Sequence, residues 1–345
     1  MLRTIYVIKE GSVLYKREYG KALSDIEFNS LIPDITNSAF SAFRTEFRTY
    51  DYFRYKISFI AQKHLNLIFV MTTNISDDLK GIELELKKFR TEFLDLFGNE
   101  IDQNLDAVAF EVLDPLVDGI HRSLKPKISL VGYSGVGKTT ISQLIRANKI
   151  PLEHIPTMNG EVATVKIGKF LFFLWDFAGQ EQFSLLWNKF IKGSDAVLLI
   201  TDSTLNNIEK SKFFLELIAE ETPYAHSAII ANKQDLPNAL ELTDIERILG
   251  IKSYTMVALN PENRNKMIQI IADILEMNVK DSPLLRPLFE RNKLVESAEK
   301  ALENADFEKA ADYFEKIAEK CIEIGDDRLG NKFYLKSNKI KQLVS

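Results

Sequence analysis

Cysteine is nearly missing from this 345-residue chain: Cys321 stands alone. One thiol excludes an intramolecular disulfide and any cysteine-rich zinc cluster, and it suits a reducing cytoplasm, where the chain is expected to work. The opening stretch MLRTIYVIKEGS has neither the apolar core of a signal peptide nor the second-position glycine of a myristoylation signal. No apolar run approaches the ~20 residues that span a bilayer, so membrane contact is expected to be peripheral at most. An excess of positive charge is lacking too. With 44 Lys and Arg against 49 Asp and Glu, the formal net charge is -5, which gives no general pull toward nucleic acid or anionic lipid.

What is present is ordinary globular composition, 46% hydrophobic and 27% charged, in a chain whose length suggests two or three units against a prior of ~150 residues per domain. Three parts are expected, over residues 1–124, 125–280 and 281–345. In the first, TIYVIKEGSVLYKREY reads as a hairpin broken at Gly11, followed by a helix from about Ser24 to Phe43. YFRYKISFIAQKHLNLIFVMTT then offers two strands around a turn at Gln62 to His64. Ile82, Leu86, Phe89, Phe93 and Phe97 recur at spacings of three and four, which puts them on one helix face, and Phe110, Leu113, Val117 and Ile120 continue the period. AFRTEFRTYDYFRYK interleaves Arg44, Arg48 and Arg54 with aromatics, as a single-strand nucleic-acid platform would. In an acidic protein the half-buried strand is the better reading, and no nucleic-acid partner is expected. The order of these elements resembles the longin and roadblock group of small α+β modules.

From Ile128 to Met277, strand-like and helix-like segments alternate, which predicts an α/β domain with a mostly parallel sheet covered on both faces. DSPLLRP ends it. The last part is helical with breaks at NAD and IGDD, and Leu302, Phe307, Ala310, Phe314 and Ile317 resemble the packing positions of a tetratricopeptide hairpin.

The chemistry concentrates in the middle part. Gly132 to Thr139, GYSGVGKT, match the phosphate-loop pattern between a strand and a helix. The cradle takes in Gly132, Ser134, Gly135, Val136, Gly137, Lys138, Thr139 and Thr140: glycines let backbone N–H groups approach phosphate oxygens, the helix N-terminus adds positive partial charge, Lys138 neutralises β and γ oxygens, and the Thr139 hydroxyl holds Mg²⁺. After the apolar strand SAIIA comes Asn232-Lys233-Gln234-Asp235, which resembles the NKxD element of GTPases. The Asp235 carboxylate can accept from guanine N1–H and the exocyclic amine, neither of which adenine offers at those positions, and such sites discriminate by ~10⁴-fold. Lys233 would lie along the purine face and Asn232 brace the loop. The third guanine element reads Val257-Ala258-Leu259, of which only the Ala258 N–H is needed. D-x-x-G falls at Asp176 to Gly179, with Asp176 reaching Mg²⁺ through water, the Gly179 N–H sensing the γ-phosphate and Gln180 orienting the attacking water. Thr157, in HIPT, would close on Mg²⁺ with the γ-phosphate present.

These motifs, with WDFAGQ, Leu186-Trp187 and ANKQDLPNA, resemble the Ras-like small GTPases and within them the Arf-like branch, although GYSGVGKT is closer to Rab phosphate loops. The resemblance covers about residues 126 to 278. It implies a six-stranded sheet, GTP and GDP binding with Mg²⁺, catalytic roles for Gln180, Lys138 and Thr157, and two switch regions that meet an effector, a GTPase-activating protein and an exchange factor. Two features depart from the pattern. Residues 1–124 replace the Arf membrane-anchoring helix, and His154, not an arginine, stands third before Thr157, so no arginine finger is seen in cis. Longin-like modules often dimerise or hold GTPases, so self-association through residues 1–124 is an expectation. A slow GTP-hydrolysing switch in trafficking or signalling is the leading reading. Its alternatives are a nucleotide-bound scaffold whose flanking modules do the work and a P-loop ATPase or kinase, which Asp235 opposes.

Overall fold

The structure, a computed structural model, describes residues 1–41, 46–98, 101, 107–146, 160–177, 179–180, 184–277, 285–324 and 326–344. They form two compact units, one of residues 1–165 with 171–277, the other of 166–170 with 278–345.

The first unit opens with a five-stranded antiparallel sheet of β1 (Leu2–Lys9), β2 (Ser12–Glu18), β3 (Phe47–Tyr52), β4 (Tyr55–Gln62) and β5 (Leu67–Asn74), in the order β2-β1-β5-β4-β3. Lys9 faces Ser12 across a two-residue turn, as the sequence pattern predicts. The stretch with interleaved arginines contributes β3, an edge strand that is only half-buried. β5 is buried on both faces, and its alternation explains why. Ile68 and Val70 pack with Phe28, Ile32 and Ile35 of α1 (Asp25–Phe40). Phe69 points the other way, onto Phe89 and Phe93 of α2 (Leu79–Phe97), with ring centroids at 5.8 and 5.2 Å. A period of two thus serves two helical layers. Phe110, Leu113, Val117 and Ile120 are buried as expected, but on a 3-10 turn over Ala107–Leu113 and a separate helix, α3 (Asp114–Ser123), where Pro115 lies in the first turn and suits a new start.

A six-stranded sheet follows, of β6 (Lys127–Val131), β7 (Glu161–Ile167), β8 (Phe170–Asp176), β9 (Ala196–Thr201), β10 (His226–Ala231) and β11 (Ser253–Thr255), ordered β11-β10-β9-β6-β8-β7. The pairs β10–β11, β9–β10, β6–β9 and β6–β8 are parallel. Val197, Leu199 and Ile229 pack with α5 (Ser184–Ile191), α6 (Leu205–Glu221) and α7 (Leu242–Leu249) through Trp187, Ile208, Phe214 and Ile245. The intervening Leu198, Ile200 and Ile230 are equally buried and so face the opposite layer, where α4 (Lys138–Arg146) and α8 (Arg264–Ile274) lie together. β7 is the strand that the sequence reading leaves unassigned, because only Val165 and Ile167 alternate inward.

The two sheets meet at a polar seam. Arg3 is fully buried, its Nε donating to Asn74 Oδ1 at 2.6 Å and its guanidinium also reaching the Leu275 carbonyl. The Asn74 amide donates to Asp195, just before β9, and the Lys21 N–H to the Glu276 carbonyl at 2.9 Å.

The second unit contains α9 (Arg286–Glu303), α10 (Phe307–Ile324) and α11 (Asp327–Val344). Ala298, Ala301 and Ala310 allow close approach around Phe314, Ile317 and Cys321. Phe307, expected at a packing position, is instead 47% exposed, because it is the first residue of α10 and precedes the first buried turn.

Candidate nucleotide-binding site

The motif residues gather at the C-terminal ends of the parallel strands: Gly132 follows β6, Asp176 ends β8, Asn232 follows β10 and Ala258 follows β11. Ligands bind at this edge in open α/β sheets, where loops converge and helix N-termini point.

The loop from Gly132 to Gly137 turns through positive φ at Gly132, Gly135 and Gly137. Gly137 has a second reason to be glycine, since a Cβ there would collide with the Asn232 amide. Lys138 is buried, and its ammonium donates to the carbonyls of Gly132 at 2.9 Å and Tyr133 at 2.8 Å, lying beneath the loop. Burial lowers its pKa to about 8, against the pull of Asp176. Gly179 closes over the same loop. Its carbonyl accepts from the Ser134 N–H at 2.9 Å, and any Cβ would strike Lys138 Nζ and the Gly132 carbonyl. The cavity lined by Ser134, Gly135, Gly137, Lys138, Thr139, Thr140, Phe177 and Gly179 is therefore about 30 Å³, room for roughly one water.

On the base side, Asn232 joins three motifs. Its Nδ2 donates to the Val136 carbonyl at 2.9 Å, and its Oδ1 accepts the Ala258 N–H at 3.0 Å. The Ala258 N–H, assigned from sequence to the guanine oxygen, thus already has a protein acceptor, as a buried N–H requires. Ser203, which sequence reasoning missed, holds the Asn232 carbonyl through its hydroxyl at 2.6 Å and receives Gln234 Nε2 at 2.8 Å. A serine in TDST carries no mark of that role. Lys233 adopts φ 59°, and Asp235 lies exposed at the rim.

Asp176 is buried, and both carboxylate oxygens lack a hydrogen bond of good geometry. Burial pushes its pKa up, against the Thr139 hydroxyl and the Lys138 ammonium. A buried carboxylate short of donors, facing a threonine hydroxyl, fits a hard divalent cation with oxygen ligands. Gln180 lines a cleft of about 300 Å³ with Tyr133, Ser134, Asp202 and Asn207, next to the phosphate loop. Thr157 and His154 lie outside the described residues.

A larger cleft, about 390 Å³, lies at the other ends of the strands, against Asp195, His226, Arg54 and Asn74. It has no phosphate-cradling loop, so chemistry rather than size selects the site. A glycine-turned loop between a strand and a helix, a lysine beneath it and a donor-poor aspartate at the next strand end define a P-loop nucleotide-binding domain. Residues 116–282 match the ADP-ribosylation factor family, just under half of the chain, so the chain carries an Arf-family GTPase domain over that stretch. The match begins inside α3, earlier than the expected boundary at residue 125.

Proposed function

We propose that this protein is a GTP-binding molecular switch that hydrolyses GTP to GDP, with the N-terminal sheet domain and the C-terminal helices as regulatory or docking modules in trafficking or signalling. The observation that carries this reading is the Asn232 side chain, which ties the phosphate loop to the Ala258 loop and brings the phosphate and base motifs into one site. In this reading Gly132 to Thr140 cradle the phosphates, Asp235 and Lys233 hold guanine, and Gln180 orients water. Thr139, Thr157 and Asp176 would hold Mg²⁺, which when bound neutralises charge on the phosphate oxygens. Without an arginine in cis, turnover should be slow, ~10⁻⁴ to 10⁻² s⁻¹, so a GTPase-activating protein, an exchange factor and an effector at the switch regions are the partners. The longin-like module precedes the GTPase domain, where it can self-associate or sense the switch.

Chromatography of nucleotide released from purified protein tests the class. GDP or GTP is expected, and Lys138→Ala should lose it. Adenine nucleotide, or none together with no uptake of GTP, sinks the reading. Asp235→Asn tests the base pocket in a competition titration, with preference moving from guanine to xanthine nucleotides by about two or more powers of ten. An unchanged preference removes Asp235 from the pocket.

A further inference from the structure

Lys127 stands at the start of β6, the strand that ends at the phosphate loop, and no motif includes it. Its Nζ donates to the carbonyls of Phe190 at 2.6 Å and Lys192 at 2.8 Å, at the C-terminal end of α5. Those carbonyls have no intrahelical donor, and a cation there also meets the negative end of the helix dipole. The same ammonium lies 4.2 Å from the centroid of the Trp175 ring, one residue before Asp176. One side chain therefore touches the strand that leads into Asp176, Gly179 and Gln180 and the helix that leads out.

The backbone of Lys127 is pinned separately. Its N–H donates to Asp195 Oδ2 at 2.7 Å, and its carbonyl accepts the Asp195 N–H at 2.9 Å. The other carboxylate oxygen of Asp195 belongs to the N-terminal sheet, accepting from the Asn74 amide and from the Ser76 hydroxyl at 3.0 Å. Asp195 is buried. Burial alone would push its carboxyl up, but the Met1 ammonium, Asn74, the Lys127 N–H and Ser76 together hold it below the usual value. A buried carboxylate that loses two of its donors is left short of hydrogen bonds, which is costly, so a displacement of Asn74 and Ser76 carries Asp195 and Lys127 with it.

We propose that Lys127 is a positioning residue through which the N-terminal sheet holds Trp175 and the C-terminal end of α5, and so sets how readily Gly179 and Gln180 lift from the phosphate loop. This deepens the switch reading and rests on it for its catalytic consequence; the contact itself rests on geometry alone. A purely local helix cap would involve Lys127 but not the N-terminal sheet, and that difference is what an experiment can read.

The chain has two tryptophans, so Trp187→Phe leaves Trp175 as sole reporter. In that background Lys127→Met, Lys127→Arg and Ser76→Ala are compared by Trp175 emission and by hydrogen exchange at residues 186–192, both without added nucleotide, and by single-turnover GTP hydrolysis and GTP affinity. Lys127→Met should speed exchange, shift emission and change the hydrolysis rate about tenfold while affinity moves less than about twofold, the scale of losing charge-assisted bonds outside the binding contacts. Lys127→Arg should return toward the parent, and Ser76→Ala should move the same readouts in the same direction by a smaller factor. If Lys127→Met does not fold, Lys127→Gln, which keeps an amide donor, carries the comparison. Absence of GTP hydrolysis in the parent would count against the switch reading, while exchange and emission still decide the contact. Parent-like exchange and emission in Ser76→Ala, with changes in the Lys127 variants, would reduce Lys127 to a local cap, and parent-like values in Lys127→Met would overturn the proposal outright.

Discussion

His226 illustrates how much a single residue owes to its surroundings. It opens β10 at the seam with its side chain 12% exposed. Burial lowers its pKa to about 4, with Arg3 and Arg54 adding to the effect and Glu276 and Asp195 opposing it. The folded state therefore binds fewer protons than the unfolded state between about pH 4 and pH 6.5. Stability from this group is complete above pH 6.5 and is lost as the pH falls toward 4, on the order of 2 kcal/mol after allowance for partial solvent access. Urea midpoints measured between pH 7 and pH 4 should fall more steeply in the parent than in His226→Gln. Equal slopes would mean that the imidazole is as free to protonate as in the unfolded chain. The motif residues contrast with His226. Lys138, Asp176 and Asn232 were legible by name because each belongs to a short motif whose chemistry needs that residue type, whereas Ser203 and Asp195 act through hydrogen bonds to partners distant in the chain, which leaves no local pattern.

Among the elements, α1 starts at the expected place, although it ends at Phe40, short of the Phe43 expected from sequence. Ser24 caps it, accepting from the Glu27 N–H, while the Glu27 carboxylate accepts the Ser24 N–H at 2.8 Å. This reciprocal box satisfies two groups that a helix start leaves open. Ser24→Ala should lower stability by about 1 kcal/mol, read as a shift in urea midpoint at unchanged slope, because the loss is local. A shift below about 0.3 kcal/mol would place α1 under the control of its packing on Ile68 and Val70 alone. The face of α2 was equally readable, since five apolar residues at helical spacing leave one way to bury them. β7 was not. An edge strand with one inward face shows too few apolar residues to stand out from a loop, and its place is decided by the neighbouring β8.

At the scale of the molecule, the seam makes the two sheets one compact unit. Arg3 is central to it: a buried guanidinium bound to Asn74 and the Leu275 carbonyl links the first strand to the end of the GTPase domain. Arg3→Met should cost about 3 kcal/mol, since it leaves Asn74 and a buried carbonyl without their donor, and hydrogen exchange should quicken in both β5 and β9. Faster exchange confined to β1 and β5 would show that the sheets open independently. From the sequence alone came the order of most elements, the phosphate-loop pattern, the NKxD pattern and the Arf-like character, because each depends on residues close together in the chain or on a fixed period. The tertiary structure decided what depends on distant partners: Gly179 resting on the glycine loop before α4, the Ala258 N–H given to Asn232, and Asp195 shared between Ser76 and Lys127. Such contacts join residues tens to more than a hundred positions apart, and a buried polar group takes whichever partner the packing brings, which no local pattern records.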